Sequence, residues 1–234
     1  MAGGRSRVNV EQTKRGRKMK VLAFNGSPRK TWNTATLLSK ALEGAASQGA
    51  ETEFIHLNDL KFRGCQSCFA CKTRGGKSYG KCAVKDGLAP ILEKVRGADA
   101  IILGSPIYFG TTTGVMRMFM ERLMFPYLTY TDPPQSLFPK RINTGFIYTM
   151  NATEKEMTEW GLGQHPGVNA WMLQMIFGAS ETLFSFDTWQ FDDYSKVVAD
   201  RFDAGEKAKR RQAVFPLDCD KAFEMGARFA RESQ

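Results

Sequence analysis

Four of the five cysteines fall within 18 positions: Cys65, Cys68, Cys71 and Cys82, with Cys219 apart. The first three stand at i, i+3 and i+6, so a curled loop can bring them with Cys82 around one point. Four thiolates suit a [4Fe–4S] cluster or a tetrahedral zinc, and free or redox-active thiols are the third reading. Lys61, Arg63, Lys72, Arg74, Lys77 and Lys81 surround them and would offset thiolate charge. Ten residues separate Cys71 from Cys82, and the Gly-rich stretch between them permits closure without requiring it. Such bunching argues for metal or redox chemistry rather than a disulfide framework.

A second chemical signal is the run Asn25-Gly26-Ser27-Pro28-Arg29-Lys30-Thr31-Trp32-Asn33-Thr34, which follows the apolar strand pattern Lys20 to Phe24 and precedes a helical one. Backbone N–H groups at a helix start form an anion site. Ser27, Arg29, Asn33 and Thr34 add hydroxyl, guanidinium and amide donors suited to a phosphate monoester. Neither the G-x-x-x-x-G-K-[ST] pattern nor G-x-G-x-x-G is present, which disfavours triphosphate hydrolysis and pyrophosphate binding. The run Gly104 to Gly114, with Ser105, Pro106, Ile107, Tyr108, Phe109 and Gly110, follows a third strand pattern. Its aromatics and exposed backbone suit a flat heteroaromatic ring. A monophosphate and a flat ring together point to a flavin mononucleotide.

The elements that must position these loops alternate. Apolar strand patterns lie at Lys20–Phe24, Thr52–Leu57, Ala100–Gly104, Gly145–Met150 and Thr182–Trp189. Helical spacing predicts helices around Leu38–Ala45, Leu88–Val95, Val115–Leu123 and Val168–Phe177, and a last one around Ala222–Ala230. Asn33 or Thr34 would cap the first helix and Asp218 or Asp220 the last. Residues 201–216 read as an irregular polar connection. This is an α/β pattern: a three-layer, doubly wound, five-stranded parallel sheet with ligands at the carboxyl edge.

Composition narrows the class. The chain of 234 residues carries a formal charge of +9, of which residues 1–18 hold +5. They are expected to be a basic leader outside a single domain over 19–234. No apolar run approaches the roughly 20 residues of a spanning helix, and no export segment is evident, so a cytoplasmic protein without membrane attachment is expected. A metal-stabilised nucleic-acid module is disfavoured by the two ligand loops.

Gly-Ser-Pro-Arg at 26–29 with Asn33-Thr34, and Ser-Pro-Ile-Tyr-Phe at 105–109 with Met118 to Arg122 beyond, resemble the flavodoxin-like NADPH-dependent FMN reductases. The cysteine segment with Asp86, and Asp187 to Phe191 with Asp193 to Lys196, are similar to the iron–sulfur flavoprotein branch. The resemblance implies that Ser27, Arg29, Asn33 and Thr34 hold the FMN phosphate and that residues 105–110 line the isoalloxazine. It places Thr149 and Asn151 on the pyrimidine side of the ring. It further implies NAD(P)H as co-substrate and a quinone, nitro or azo compound or flavin as acceptor. The alternative is an electron carrier served by ferredoxin through a [4Fe–4S] cluster on Cys65, Cys68, Cys71 and Cys82. A homodimer or homotetramer follows from the same resemblance. No catalytic side chain is named, since hydride transfer to a flavin needs no general acid.

Overall fold

The computed structural model describes residues 17–231. Six strands form among the described residues, β1 (Lys20–Asn25), β2 (Glu51–His56), β3 (Ala100–Tyr108), β4 (Thr111–Thr112), β5 (Ile142–Thr149) and β6 (Gly178–Ser185). Five of them make a parallel sheet in the order β2-β1-β3-β5-β6, and β4 folds back antiparallel on the end of β3. Seven helices are present among the described residues: α1 (Asn33–Ser47), α2 (Ala89–Gly97), α3 (Gly114–Met124), α4 (Glu154–Glu159), α5 (Gln164–Phe177), α6 (Ala204–Ala213) and α7 (Phe215–Arg231). The expected α/β sandwich is therefore present.

Alternation along each strand divides the core. Leu22, Phe24, Ile101 and Leu103 join Phe119, Met120 and Leu173 on one face. Val21, Ala23, Ala100 and Ile102 join Leu38, Ala41, Met225 and Phe229 on the other. Buried on both faces, the central strands read as continuous apolar runs. The second face owes its tightness to glycine. A Cβ on Gly44 would lie 1.9 Å from the Phe223 carbonyl oxygen, and one on Gly226 would lie 1.7 Å from that of Ala41. Only glycine lets α1 and α7 approach this closely.

Four expectations need correction. Residues 204–213 are helical rather than irregular. Their charges run all round the helix, so no apolar stripe announces it, and Asp203 caps it by accepting the Gly205 and Glu206 N–H groups. The fifth parallel strand starts at Gly178, because Gly178, Ser180 and Glu181 interrupt the apolar pattern of this half-buried edge. α5 starts at Gln164, with Pro166 in the first turn where no N–H is needed. α7 begins at Phe215, so Asp218 is not its cap; buried in the first turn, it accepts Ser185 Oγ at 2.7 Å and Arg210 NH2 at 2.8 Å.

The basic segment expected over 1–18 falls outside the described residues except at its end. There Arg17 donates to the Gly97 carbonyl at 2.9 Å and to the Asp99 carboxylate at 3.2 Å. No helix among the described residues is long and apolar enough to cross a membrane.

Candidate flavin site and cysteine pocket

β1 lies between β2 and β3, so chain direction across the sheet reverses there and a crevice opens at the carboxyl ends of β1 and β3. The first loop is pinned to that crevice from both sides. The Gly26 N–H donates to Gly104 O at 2.8 Å, and Thr113 Oγ1 donates to Gly26 O at 2.8 Å. A Cβ at Gly26 would come within 2.8 Å of Met116 Cβ, so the loop presses directly on α3. Asn25 Oδ1 accepts the Ser27 N–H at 2.9 Å, and Ser27 Oγ accepts that of Arg29 at 3.2 Å.

Helix α1 starts without a side-chain cap: Trp32 occupies the position, and Asn33 and Thr34 are engaged elsewhere. Asn33 Nδ2 donates to Trp189 O at 2.7 Å and its Oδ1 accepts Arg211 NH1 at 2.8 Å. Thr34 Oγ1 pairs with Thr149 Oγ1 at 2.8 Å. First-turn N–H groups thus face the crevice without a capping oxygen, and the positive end of the helix dipole adds to them. Arg29 reaches across to Gln190 O at 2.5 Å, its guanidinium 5.0 Å from the Trp32 ring centre.

The second loop is a tight hairpin. Ile107 and Tyr108 pair with Thr112 and Thr111, and Phe109 (φ 49°) and Gly110 (φ 80°) turn the corner in left-handed conformations. Two positive φ values match the twist of a two-residue hairpin, at a cost for the non-glycine Phe109. Ser105 is wholly buried, donating to Pro106 O at 2.8 Å and accepting the Thr113 N–H at 3.0 Å. Its part is to shape the turn from beneath.

One cleft is lined by Ser27, Arg29, Asn33, Thr34, Pro106, Ile107, Tyr108, Thr149 and Asn151, joined by Trp32, Met150, Thr188 and Gln190. Phe109 and Gly110 open instead onto an adjoining cavity. Sequence reasoning missed the supports. Buried Lys207 holds Asn151 by both its backbone and side-chain oxygens and pairs with Asp187. The Trp189 and Gln190 carbonyls gather Trp32, Asn33 and Arg29. Backbone acceptors carry no residue-type signal, and a lysine among the charges of α6 reads as solvated.

His56 sits at the end of β2 behind the first loop. Its Nδ1 accepts Asn25 Nδ2 at 2.9 Å, while Nε2 is buried with no partner among the described residues. Burial pushes its pKa below the ordinary imidazole value, outweighing Asp59 nearby.

Cys65, Cys68, Cys71 and Cys82 line one small pocket together with Glu121, Arg122 and Phe125. Among the described residues no three His, Cys, Asp or Glu side chains converge on a metal-ligating point. Cys65 and Cys68 are exposed, whereas Cys71 is buried, which pushes its thiol pKa up despite neighbouring Lys72. Left-handed backbone at Ser67 (φ 52°) and Phe69 (φ 54°) curls the segment. Lys72 anchors it by donating to the carbonyls of Phe125 and Leu128. Arg122, reaching in from α3, donates Nε to Cys82 Sγ at 3.3 Å and NH1 to Asp86 Oδ2 at 2.5 Å. Cys219 stands apart, within α7 rather than beside its start.

The family model for NADPH-dependent FMN reductases matches residues 19–141, which take in both loops and the cysteine segment. The chain belongs to this family. An iron–sulfur flavoprotein of Methanocaldococcus jannaschii is 44% identical over 104 residues, which cover 44% of this chain and 51% of that protein. One from Archaeoglobus fulgidus is 42% identical over 104 residues, 44% of this chain and 48% of that protein. The matched stretch thus spans about half the length of these curated relatives. Among solved structures, an azoreductase from Bacillus anthracis str. Sterne superposes with a TM-score of 0.65 at 13% identity, covering 90% of this chain and 100% of that one. At that identity the likeness extends to the fold.

Proposed function

We propose that this member of the FMN reductase family binds FMN in the cleft at the carboxyl ends of β1 and β3. There it passes electrons from NAD(P)H to a small acceptor such as a quinone, a nitro or azo compound, or free flavin. The observation that carries this reading is the uncapped start of α1 facing a cleft that also holds Ser27, Arg29 and Thr34. The donor set fits a phosphate monoester: the helix N–H groups, the Ser27 hydroxyl, whose proton is free to donate, and a cation beside them. FMN, when bound, supplies the hydride-accepting and electron-donating chemistry. The chain's own contribution is placement. Arg29 neutralises phosphate charge, the Tyr108 turn offers a flat edge for the ring, and Lys207 holds Asn151 by its backbone and side-chain oxygens. The test is an absorption spectrum of protein purified without oxygen, followed by NADPH. A flavin spectrum bleached by NADPH is expected, and colourless protein that fails to take up added FMN overturns the reading.

A second reading is favoured by the four cysteines sharing one pocket. In it Cys65, Cys68, Cys71 and Cys82 hold a [4Fe–4S] cluster, and the chain carries electrons from ferredoxin rather than from NAD(P)H. The donor set suits the cluster, and Arg122 and Lys72 would offset its charge from behind the loop. Reduced ferredoxin, and not NADPH, would then bleach the flavin. Anaerobic protein would contain close to four iron and four sulfide per chain, and Cys68→Ser would lose most of both while keeping FMN. On either reading the protein works in the cytoplasm as a homodimer or homotetramer, with no part for nucleic acid or membrane.

A further inference from the structure

Beside the flavin cleft lies a second cavity of about 480 Å³. The two share Ile107, Met150 and Asn151 as a common wall. Three rings, Phe109, Trp160 and Phe202, stand in its other walls beside Leu162, Glu156 and Arg201. Phe109 is fully exposed on a left-handed backbone, so the hairpin holds an apolar ring out at the rim at conformational cost. A planar aromatic guest would find stacking surface on several sides.

Charge in the cavity is not balanced as the pairing first suggests. Arg201 NH2 donates to Glu156 Oε1 at 2.5 Å. The other Glu156 oxygen is consumed in the capping box at the start of α4, accepting the Thr153 N–H at 2.8 Å and hydroxyl at 3.1 Å. Both carboxylate oxygens are thereby engaged, and the Thr153 N–H and the Arg201 guanidinium hold the Glu156 carboxyl below the usual range. Arg201 keeps more donors than it uses: its Nε and NH1 donate to no described residue. The guanidinium lies 5.0 Å from the Trp160 ring centre and 5.9 Å from that of Phe202, which keeps it at the cavity wall. The other nearby cation, Lys207, is buried and spent on Asn151 and Asp187.

We propose that this cavity is the acceptor pocket and that it takes a flat aromatic molecule bearing a carboxylate or sulfonate, which Arg201 recognises through its uncommitted N–H groups. The inference deepens the oxidoreductase reading and rests on it for the word acceptor; the binding chemistry stands on the cavity alone. Redox-inert probes separate the two. Protein carrying its full FMN complement is titrated calorimetrically with 2-naphthalenesulfonate and with 2-naphthalenemethanol, which share a ring system and differ in charge. The sulfonate is expected to bind about tenfold more tightly, the scale of one partly exposed charge-assisted hydrogen bond. Arg201→Gln should erase that preference while leaving the alcohol's affinity and the FMN content unchanged, and Arg201→Lys should restore part of it. Trp160→Ala should weaken both probes alike. Equal affinity for the two probes in the unaltered protein, or a sulfonate preference that survives Arg201→Gln, would overturn the assignment. Absence of FMN from all samples would instead overturn the oxidoreductase reading, with the probe comparison still decisive for the pocket.

Discussion

Replacing Arg122 by methionine removes a side chain that ties α3 to the cysteine segment through four separate bonds, where Glu121 adds a fifth from the Cys65 N–H. The side chain is 1% exposed and its partners are Asp86 Oδ2 at 2.5 Å, Arg63 O and Val84 O at 3.1 Å each, and Cys82 Sγ at 3.3 Å. Methionine fills much of the same volume, so the change is chiefly one of charge and donors. Breaking a buried ion pair from one side costs about 3–5 kcal/mol, because the remaining charge is left uncompensated. Asp86 is 20% exposed and can recover some hydration, which places the expectation near the lower end, about 3 kcal/mol. With a urea slope of about 3 kcal/mol/M for a chain of this size, the midpoint should fall by about 1 M at unchanged slope. Adding Asp86→Asn to Arg122→Met should return part of the loss, since no carboxylate is then stranded. A midpoint shift below about 0.3 M, or single-variant losses that simply add, would refute the argument that Arg122 organises the segment.

Arg29→Ala should weaken FMN binding by about 1.5–3 kcal/mol, roughly 10- to 150-fold, by loss of a charged donor to phosphate; an unchanged dissociation constant in fluorescence titration counts against the site. Gly226→Ala should destabilise by at least 1–3 kcal/mol, because a Cβ 1.7 Å from Ala41 O must push α1 and α7 apart; a thermal midpoint equal to that of the parent would contradict the contact. His56 is held below its ordinary value of 6.5 by burial, so its contribution to stability is complete above that pH. The unfolded chain binds the proton first, and stability is lost as the pH falls from about 6.5 through the lowered value. Protonated Nδ1 can no longer accept Asn25 Nδ2, so phosphate-loop order and FMN affinity should fall over the same range; His56→Gln should flatten both profiles.

The sheet was legible because burial on both faces writes itself as short apolar runs, clearest in Lys20 to Phe24 and Ala100 to Gly104. Of the edge strand Gly178–Ser185 only the half from Thr182 was legible, since a half-buried edge tolerates Ser180 and Glu181 where a central strand would not. α6 escaped for a related reason: its stabilisation lies in the Asp203 cap and the buried Lys207 ammonium, neither of which produces hydrophobic periodicity. The two loops were legible as turns at the ends of β1 and β3, because Gly26 with Pro28 and Pro106 with Gly110 punctuate the apolar runs there. Their supports were hidden. Trp189 and Gln190 contribute backbone carbonyls, and Arg211 reaches Asn33 from 178 positions away. Such contacts exist only after the sheet has closed.

The central claim is that the start of α1 receives a phosphate monoester. Calorimetric titration of flavin-free protein with FMN and with riboflavin tests it most directly, because the two differ in that group alone. The arrangement of Ser27, Arg29 and the uncapped helix predicts FMN tighter than riboflavin by at least 100-fold, about 2.7 kcal/mol. Equal affinities would contradict it.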